Sequence, residues 1–344
     1  MENSKNIKNT AELEELLSRP NDQSIEFVRT LEGDMIFLGV TGKIGPSLAL
    51  MARRACDAAG IDKKIIGVSR FREDSGREEL EKAGIETIPG DLLEPGFIQQ
   101  LPRVKNVIFL AGMKFGSLEN AALTWAINSY MPGLVAEHYK KSRIVAYSTG
   151  CVYPFVPPES EGSKETDVPG PIGEYAQSCL GRERLFEHGS LKHQTKMAMI
   201  RLNYAVELRY GVLVDIAMKV KKEIPIDLSM GYFNIIWQGD ANNMVLQSLG
   251  HVQSPPNIIN ITGFEILSVK TVAEEFGKRM DMKPVFSGRE SETALLSNPQ
   301  KAYELFGPPE VSVSTLLDWI TDWILHGKEI LNKPTKFEVR DGKY

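Results

Sequence analysis

Apolar and polar positions along this 344-residue chain follow two patterns: short runs rich in Val, Ile, Leu and Phe, and longer stretches with apolar residues three and four apart. The short runs predict strands at Met35–Leu38, Ile65–Val68, Glu86–Ile88, Val107–Leu110 and Arg143–Tyr147. Between them, helical spacing predicts a helix through Leu48, Met51, Ala52 and Ala55, a charged helix over Glu78–Ala83, and a long helix over Leu123–Tyr139. Strand then helix, repeated, makes right-handed crossovers, so the expected class is α/β with a doubly wound parallel sheet. Residues 1–32 predict a helical extension in which Thr10 caps Ala11–Leu17, Pro20 ends it, and a second helix covers Ser24–Leu31. Residues 33–203 are expected to hold the sheet domain, including a Pro-, Gly- and Glu-rich loop at 154–173. After the strand Met197–Leu202, residues 204–330 supply a smaller interleaved α/β substrate-binding region with segments returning to the sheet, completed by the strand Ile258–Thr262 and helices Val269–Met280 and Val313–Leu325. The polar tail 331–344 is expected on the surface or against a partner subunit.

Gly39, Gly42 and Gly45 stand between the first strand and the first crossover helix, with Thr41, Lys43 and Ile44 among them. A strand, a tight glycine turn and a helix start aim free N–H groups and the helix dipole at one point, which suits a pyrophosphate. Set in a Rossmann-type sheet, that turn predicts a dinucleotide. The net charge of −5 argues against nucleic acid as a partner, because phosphate contacts need a basic surface. No apolar segment reaches 18 residues and the first residues lack a signal peptide's apolar run, which predicts a cytoplasmic protein without membrane contact. The three cysteines are too scattered for a disulfide framework, and the five histidines show no ligand spacing, so no metal site is expected.

Ligands of such sheets lie outside the carboxyl ends of the strands. There the second strand ends in Ser69-Arg70, a hydroxyl and a cation that suit a 2′-phosphate, so NADP is expected slightly ahead of NAD. Asp91-Leu92 follows the third strand and places a carboxylate near the adenine or at the cap of the next helix. With Leu110-Ala111-Gly112-Met113-Lys114, Asn128, Ser148-Thr149-Gly150-Cys151-Val152-Tyr153 and Tyr175, the chain resembles the extended short-chain dehydrogenase/reductase family, which includes sugar-nucleotide epimerases and dehydratases. The resemblance runs from Gly33 to about Trp323 and takes in Ile258–Gly263 and Thr293–Gly307. It implies that Leu110–Lys114 and Asn128 line the cofactor, that Thr149 is the catalytic hydroxyl and that Tyr175 is the catalytic acid or base; Asn203 begins the family's turn into the substrate region. Those roles are chemically reasonable on their own terms. A hydride leaves a carbinol carbon only if the hydroxyl proton is removed, and a tyrosine with a lowered pKa does this while Thr149, or Ser148 in its place, fixes the oxygen.

The chain departs from the family one helical turn later, where Tyr-x-x-x-Lys is replaced by Tyr175-Ala-Gln-Ser-Cys179. A cation about 5 Å from the phenol, at an effective dielectric of about 20, is worth about 3 kcal/mol to the phenolate, and a neutral thiol supplies none of it. Three outcomes stay open: Lys114 or, more weakly, Arg182 replaces the lysine; the oxidised nicotinamide's own charge suffices; or hydride chemistry is lost and the protein is an NAD(P)-binding regulator or redox sensor. Cys151 and Cys179 are either small buried hydrophobes or a redox-switchable thiol pair near the nicotinamide. Gly150-Cys151 stands where the family's dehydratases carry an acidic pair, so dehydration is disfavoured, leaving oxidoreduction or epimerisation of a sugar, sugar acid or nucleotide sugar. Cys151, Tyr153, Arg209 and Trp237 are the substrate-side candidates, Arg209 with Tyr210 next to it and Trp237 as part of an aromatic and amide cluster at Met230–Asp240. A homodimer is the expected assembly.

Overall fold

The computed structural model describes residues 6–72 and 74–343. Strands β1 (Met35–Leu38), β2 (Ile65–Ser69), β3 (Glu86–Pro89), β4 (Asn106–Phe109), β5 (Arg143–Thr149) and β6 (Met197–Leu202) join a seventh, Asn257–Ile261, in one sheet. The spatial order is Asn257–Ile261, β6, β5, β4, β1, β2, β3, and every pairing is parallel. Helices cover both faces, so β1 and β4 are buried along their whole length, which is why they read as unbroken apolar runs. The strand order reverses between β1 and β4. That reversal opens a crevice at their carboxyl ends, over the glycine turn.

Helix α1 (Thr10–Leu17) is capped by Asn9, whose side chain accepts from the Glu12 N–H at 2.9 Å; Thr10, expected as the cap, is the first helical residue. An amide carbonyl on extended backbone reaches that N–H as readily as a threonine hydroxyl, so two adjacent cap formers leave the choice to packing. Asn21 caps α2 (Asp22–Thr30) in the same way, also at 2.9 Å. The long helix expected over Leu123–Tyr139 is broken into Ala121–Trp125, a π-turn at Ala126–Tyr130, and Met131–His138. Pro132 has no N–H to give to the preceding turn, and the wider π-turn accommodates the loss. It also puts Asn128 where the site needs it.

A second core lies beyond the sheet, built from the helices Val212–Lys221, Val269–Met280 and Val313–Leu325 with Phe233, Phe276 and Trp323. The tail runs along the surface, with Asn332–Pro334 exposed, and is anchored at a few residues. Phe337 enters this second core at 1% exposure, 6.2 Å from the Phe233 ring, and Thr335 is buried beside it. Burying one phenylalanine is worth about 2 kcal/mol, enough to hold a polar strand of chain down. Among the described residues no helix is long and apolar enough to cross a membrane.

Candidate active site

The glycine turn is closed by contacts that only glycine permits. Gly39 has φ +90°, and a Cβ there would sit 2.7 Å from the Ala111 backbone; a Cβ on Gly45 would sit 2.2 Å from the Val40 carbonyl. Leu110 and Ala111 N–H both donate to the Leu38 carbonyl, at 2.8 and 3.1 Å, which ties the end of β4 to the turn. Helix α3 (Gly45–Ala59) starts without a side-chain cap, and among the described residues the Lys43 and Ile44 amides have no acceptor. Uncapped N–H groups over a helix dipole fit a dinucleotide pyrophosphate. Lys43 projects from this turn with its ammonium 3.3 Å above the centre of the Tyr210 ring. Its side chain keeps solvent contact, yet the protein crowding the crevice draws its pKa down to about 7, against partial support from Glu207.

Tyr175 opens the helix Gly173–His193. Its phenol lies beside the hydroxyl of Thr149, the last residue of β5, and the thiol of Cys179 one turn on. Burial pushes the phenol well above its ordinary range, the Cys179 and Cys151 thiols add to this, and Arg182 and Thr149 oppose it. Burial also pushes Cys179 up to about 11, so it is a neutral thiol. Two cations stand near the phenol, Lys114 from the loop after β4 and Arg182 from the same helix. Lys114 holds its ammonium 5.8 Å from the centre of the Tyr175 ring and donates to the Thr335 carbonyl at 3.3 Å, with burial lowering its pKa. Arg182 is buried behind the phenol, donating to the Tyr147 carbonyl at 2.8 Å and to Asn128 Oδ1 at 2.7 Å. Asn128 in turn grips both backbone groups of Met113, at 2.9 Å each, and so fixes the loop that carries Lys114.

At the adenosine end, Thr41 and Ser69 hydroxyls meet at 2.5 Å, and Arg70 stands 4.0 Å from Asp91, whose other oxygen accepts from the Leu93 N–H at 2.9 Å. Asp91 therefore caps the turn as well as facing the cation.

Four expected site residues are engaged elsewhere. Ser148 cannot stand in for Thr149: successive strand side chains point to opposite faces, and its hydroxyl donates to Glu183 at 2.5 Å, under the sheet. Asn203 gives its amide to Asn234 at 2.8 Å in a buried ladder that staples β6 to the substrate region. Arg209 is bound to Glu14 at 2.6 Å and Glu207 at 3.1 Å, holding α1 in place. Trp237 is 3% exposed and packs edge-on against Trp319, with ring centres 5.6 Å apart, away from Tyr175. Its cluster is internal scaffold. Cys151 and Tyr153 do line a small cavity next to Thr149, with Phe155, Ile172, Leu295 and Arg340. Arg340 and Asp215 are the residues the sequence did not single out, since both look like ordinary solvated charges when only their neighbours in the chain are known.

No curated protein matches the chain. Solved structures do. The UDP-glucuronic acid 4-epimerase of Bacillus cereus, in complex with UDP-glucuronic acid and NAD, is 17% identical with a TM-score of 0.70 over 85% of this chain and 99% of its own. Pal from Bacillus thuringiensis is 17% identical, with a TM-score of 0.71 over 86% of this chain and 100% of its own. The UDP-glucose 4-epimerase of Thermus thermophilus, complexed with NAD, is 18% identical, with a TM-score of 0.69 over 86% and 99%. At these identities the likeness shows the fold. The family follows from the sequence: a model of the NAD dependent epimerase/dehydratase family matches residues 35–206, half of the chain, and the protein belongs to that family.

Proposed function

We propose that the protein is an NAD(P)-dependent enzyme that oxidises, reduces or epimerises a hydroxyl-bearing carbon of a sugar, sugar acid or nucleotide sugar, with Tyr175 as its acid and base. The observation that carries this reading is the Tyr175 phenol beside the Thr149 hydroxyl, with the Lys114 ammonium 5.8 Å from the centre of the Tyr175 ring. The structural neighbours named above that hold UDP-glucuronic acid or NAD support the substrate and cofactor classes. The pyrophosphate would lie on the turn formed by Gly39, Thr41, Gly42, Lys43, Ile44 and Gly45. Ser69, Arg70, Asp91 and Leu92 would surround the adenosine, and Leu110–Lys114, braced by Asn128, would flank the nicotinamide beside Cys179. Because Asp91 offsets Arg70, the ground for preferring NADP to NAD is removed. When bound, the dinucleotide supplies a reversible hydride acceptor. Tyr175 takes the carbinol proton and returns it, Thr149 holds the same oxygen, and Lys114 stabilises the phenolate in place of the missing lysine. An NAD(P)-binding sensor is the second reading, favoured by Cys179.

Titration with NAD and NADP, followed by turnover on sugars, uronates and nucleotide sugars, separates them. The enzyme reading expects micromolar binding, turnover that falls by about 10²–10⁴ in Tyr175→Phe with binding unchanged, and a Lys114→Met variant whose rate optimum moves to higher pH. Tight cofactor binding with no turnover in any of these proteins leaves the sensor. The pairing face for a second copy is the exposed set Leu123, Trp125, Tyr130 and Leu185, on helices that pack side by side.

A further inference from the structure

At the end of the sheet away from the crevice, the connections into β4, β5 and β6 bring Lys105, Lys140, Lys141, Arg143 and Lys196 to one cavity of about 530 Å³. These strands are neighbours, and their register sets the cations side by side: the Arg143 N–H donates to the Lys105 carbonyl at 2.8 Å and the Ile144 N–H to the Lys196 carbonyl at 3.0 Å. Buried hydroxyls tie the connections together. Ser142 donates to the Val104 carbonyl at 2.6 Å, and Thr195 to the Lys140 carbonyl at 2.8 Å. The Lys105 stem lies over Gly33, its carbons 2.8 Å from where a Cβ would stand. The seven residues of β5, about 20 Å of strand, separate this cavity from Thr149.

One carboxylate lines the cavity, Glu32, and Lys105 takes it at 2.8 Å. Glu137 takes Lys140 at 2.8 Å, together with Lys192 and His193. Lys141 and Lys196 are exposed and meet no carboxylate among the described residues, and Arg143 donates to Asn106 Oδ1 at 3.3 Å. Lys140 and His193 complement the dipoles of the helices Met131–His138 and Gly173–His193, which end here. That does not account for Lys105 and Arg143, which are set at strand starts, where like charges on neighbouring strands cost stability. An anion among them removes the repulsion. The cations are spread over strands about 4.8 Å apart, so one ligand meets them all only if it carries several charges. A concave site of this volume admits a small molecule, whereas a nucleic acid needs a long basic surface that this acidic chain lacks. We propose that this end of the sheet is a second binding site, which takes a phosphate-chain anion: an inorganic polyphosphate or the triphosphate of a nucleotide.

The test is calorimetric titration of the full chain with tripolyphosphate, ATP and inorganic phosphate at low salt. Tripolyphosphate is expected to bind about tenfold or more tightly than phosphate and to weaken as salt is raised. Lys141→Ala/Lys196→Ala, both exposed positions, lowers its affinity about tenfold with the melting temperature unchanged. Lys43→Met in the glycine turn, and Lys222→Ala/Lys270→Ala on exposed surface elsewhere, leave it within about twofold. Given that result, an ATP affinity that falls in the same Lys141→Ala/Lys196→Ala variant identifies a nucleotide, and one that does not identifies inorganic polyphosphate. The proposal is overturned by equal affinity for tripolyphosphate and phosphate, by no binding of either, or by an affinity that survives Lys141→Ala/Lys196→Ala. Equal loss in Lys43→Met overturns it by placing the anion on the glycine turn, and equal loss in Lys222→Ala/Lys270→Ala by showing only a general effect of charge.

Discussion

Lys43 sits in the glycine turn, where the chain has its uncapped amides, and although its side chain is exposed, the protein around the crevice draws its pKa down from 10.5 to about 7. Below about pH 7 it carries its charge with or without a ligand; well above pH 7 it carries none while the protein is free. A pyrophosphate raises the pKa again, so binding takes up a proton between those limits and NAD affinity falls as the pH rises through them. Calorimetry at pH 8 in buffers of different ionisation enthalpy measures this directly. Proton uptake close to one is expected for the wild type and close to none for Lys43→Met; equal uptake in the two removes Lys43 from the phosphate site. At this scale the sequence is informative where the backbone itself makes the site, as at Gly39 and Gly45. It is uninformative where a side chain chooses among distant partners. Ser148 and Thr149 are adjacent and chemically alike, yet the pleat sends one to Glu183 and the other to Tyr175.

The helix Gly173–His193 joins the site to the sheet beneath it. On one side it offers Tyr175 and Cys179, and on its buried side Arg182 and Glu183. Glu183 takes two hydrogen bonds from Arg201 of β6, at 3.0 and 2.7 Å, as well as the one from Ser148, with both charged side chains 3% exposed. Removing one partner of such a pair leaves an uncompensated buried charge. Glu183→Ala is therefore expected to cost about 3–5 kcal/mol in urea unfolding. A cost below about 1 kcal/mol means that water reaches the site in the folded protein. Helix and strand were foreseeable from apolar spacing, and the strand Met197–Leu202 has the bounds its pattern predicts. Their charge pairing was not, because 18 residues of sequence separate Glu183 from Arg201 and only the sheet's register brings them together. The π-turn at Ala126–Tyr130 was missed for a related reason: the apolar period continues through it while the hydrogen bonds widen by one residue.

Over the whole molecule the charge is −5, and the crevice mixes signs: Lys43, Lys114 and Lys336 stand there with Glu207 and Asp215. On the opposite side of the site lies the apolar face proposed for pairing, where Tyr130 is 54% and Leu185 38% exposed. Sedimentation equilibrium of Tyr130→Glu/Leu185→Glu against the wild type checks it: a dimer that becomes a monomer is expected, and a wild type already monomeric at tens of micromolar ends the proposal. The same face explains an oddity of composition, since large apolar residues side by side on the outside of a folded chain add to stability only when covered.

The sequence alone determined the order of strands and helices, the parallel sheet, the glycine turn, a threonine at a strand end and a tyrosine at a helix start. These depend on local backbone preference and on apolar periodicity, which act over a few residues. Tertiary structure alone decided that Lys114 comes within 5.8 Å of the Tyr175 ring centre, that Asn203, Arg209 and Trp237 are engaged by neighbouring side chains, and that the tail returns to lie against Lys114 and Gly173. Those outcomes turn on groups that lie far apart along the chain, such as Lys114 and Thr335, and their meeting is set by the packing of two cores and the register of one sheet.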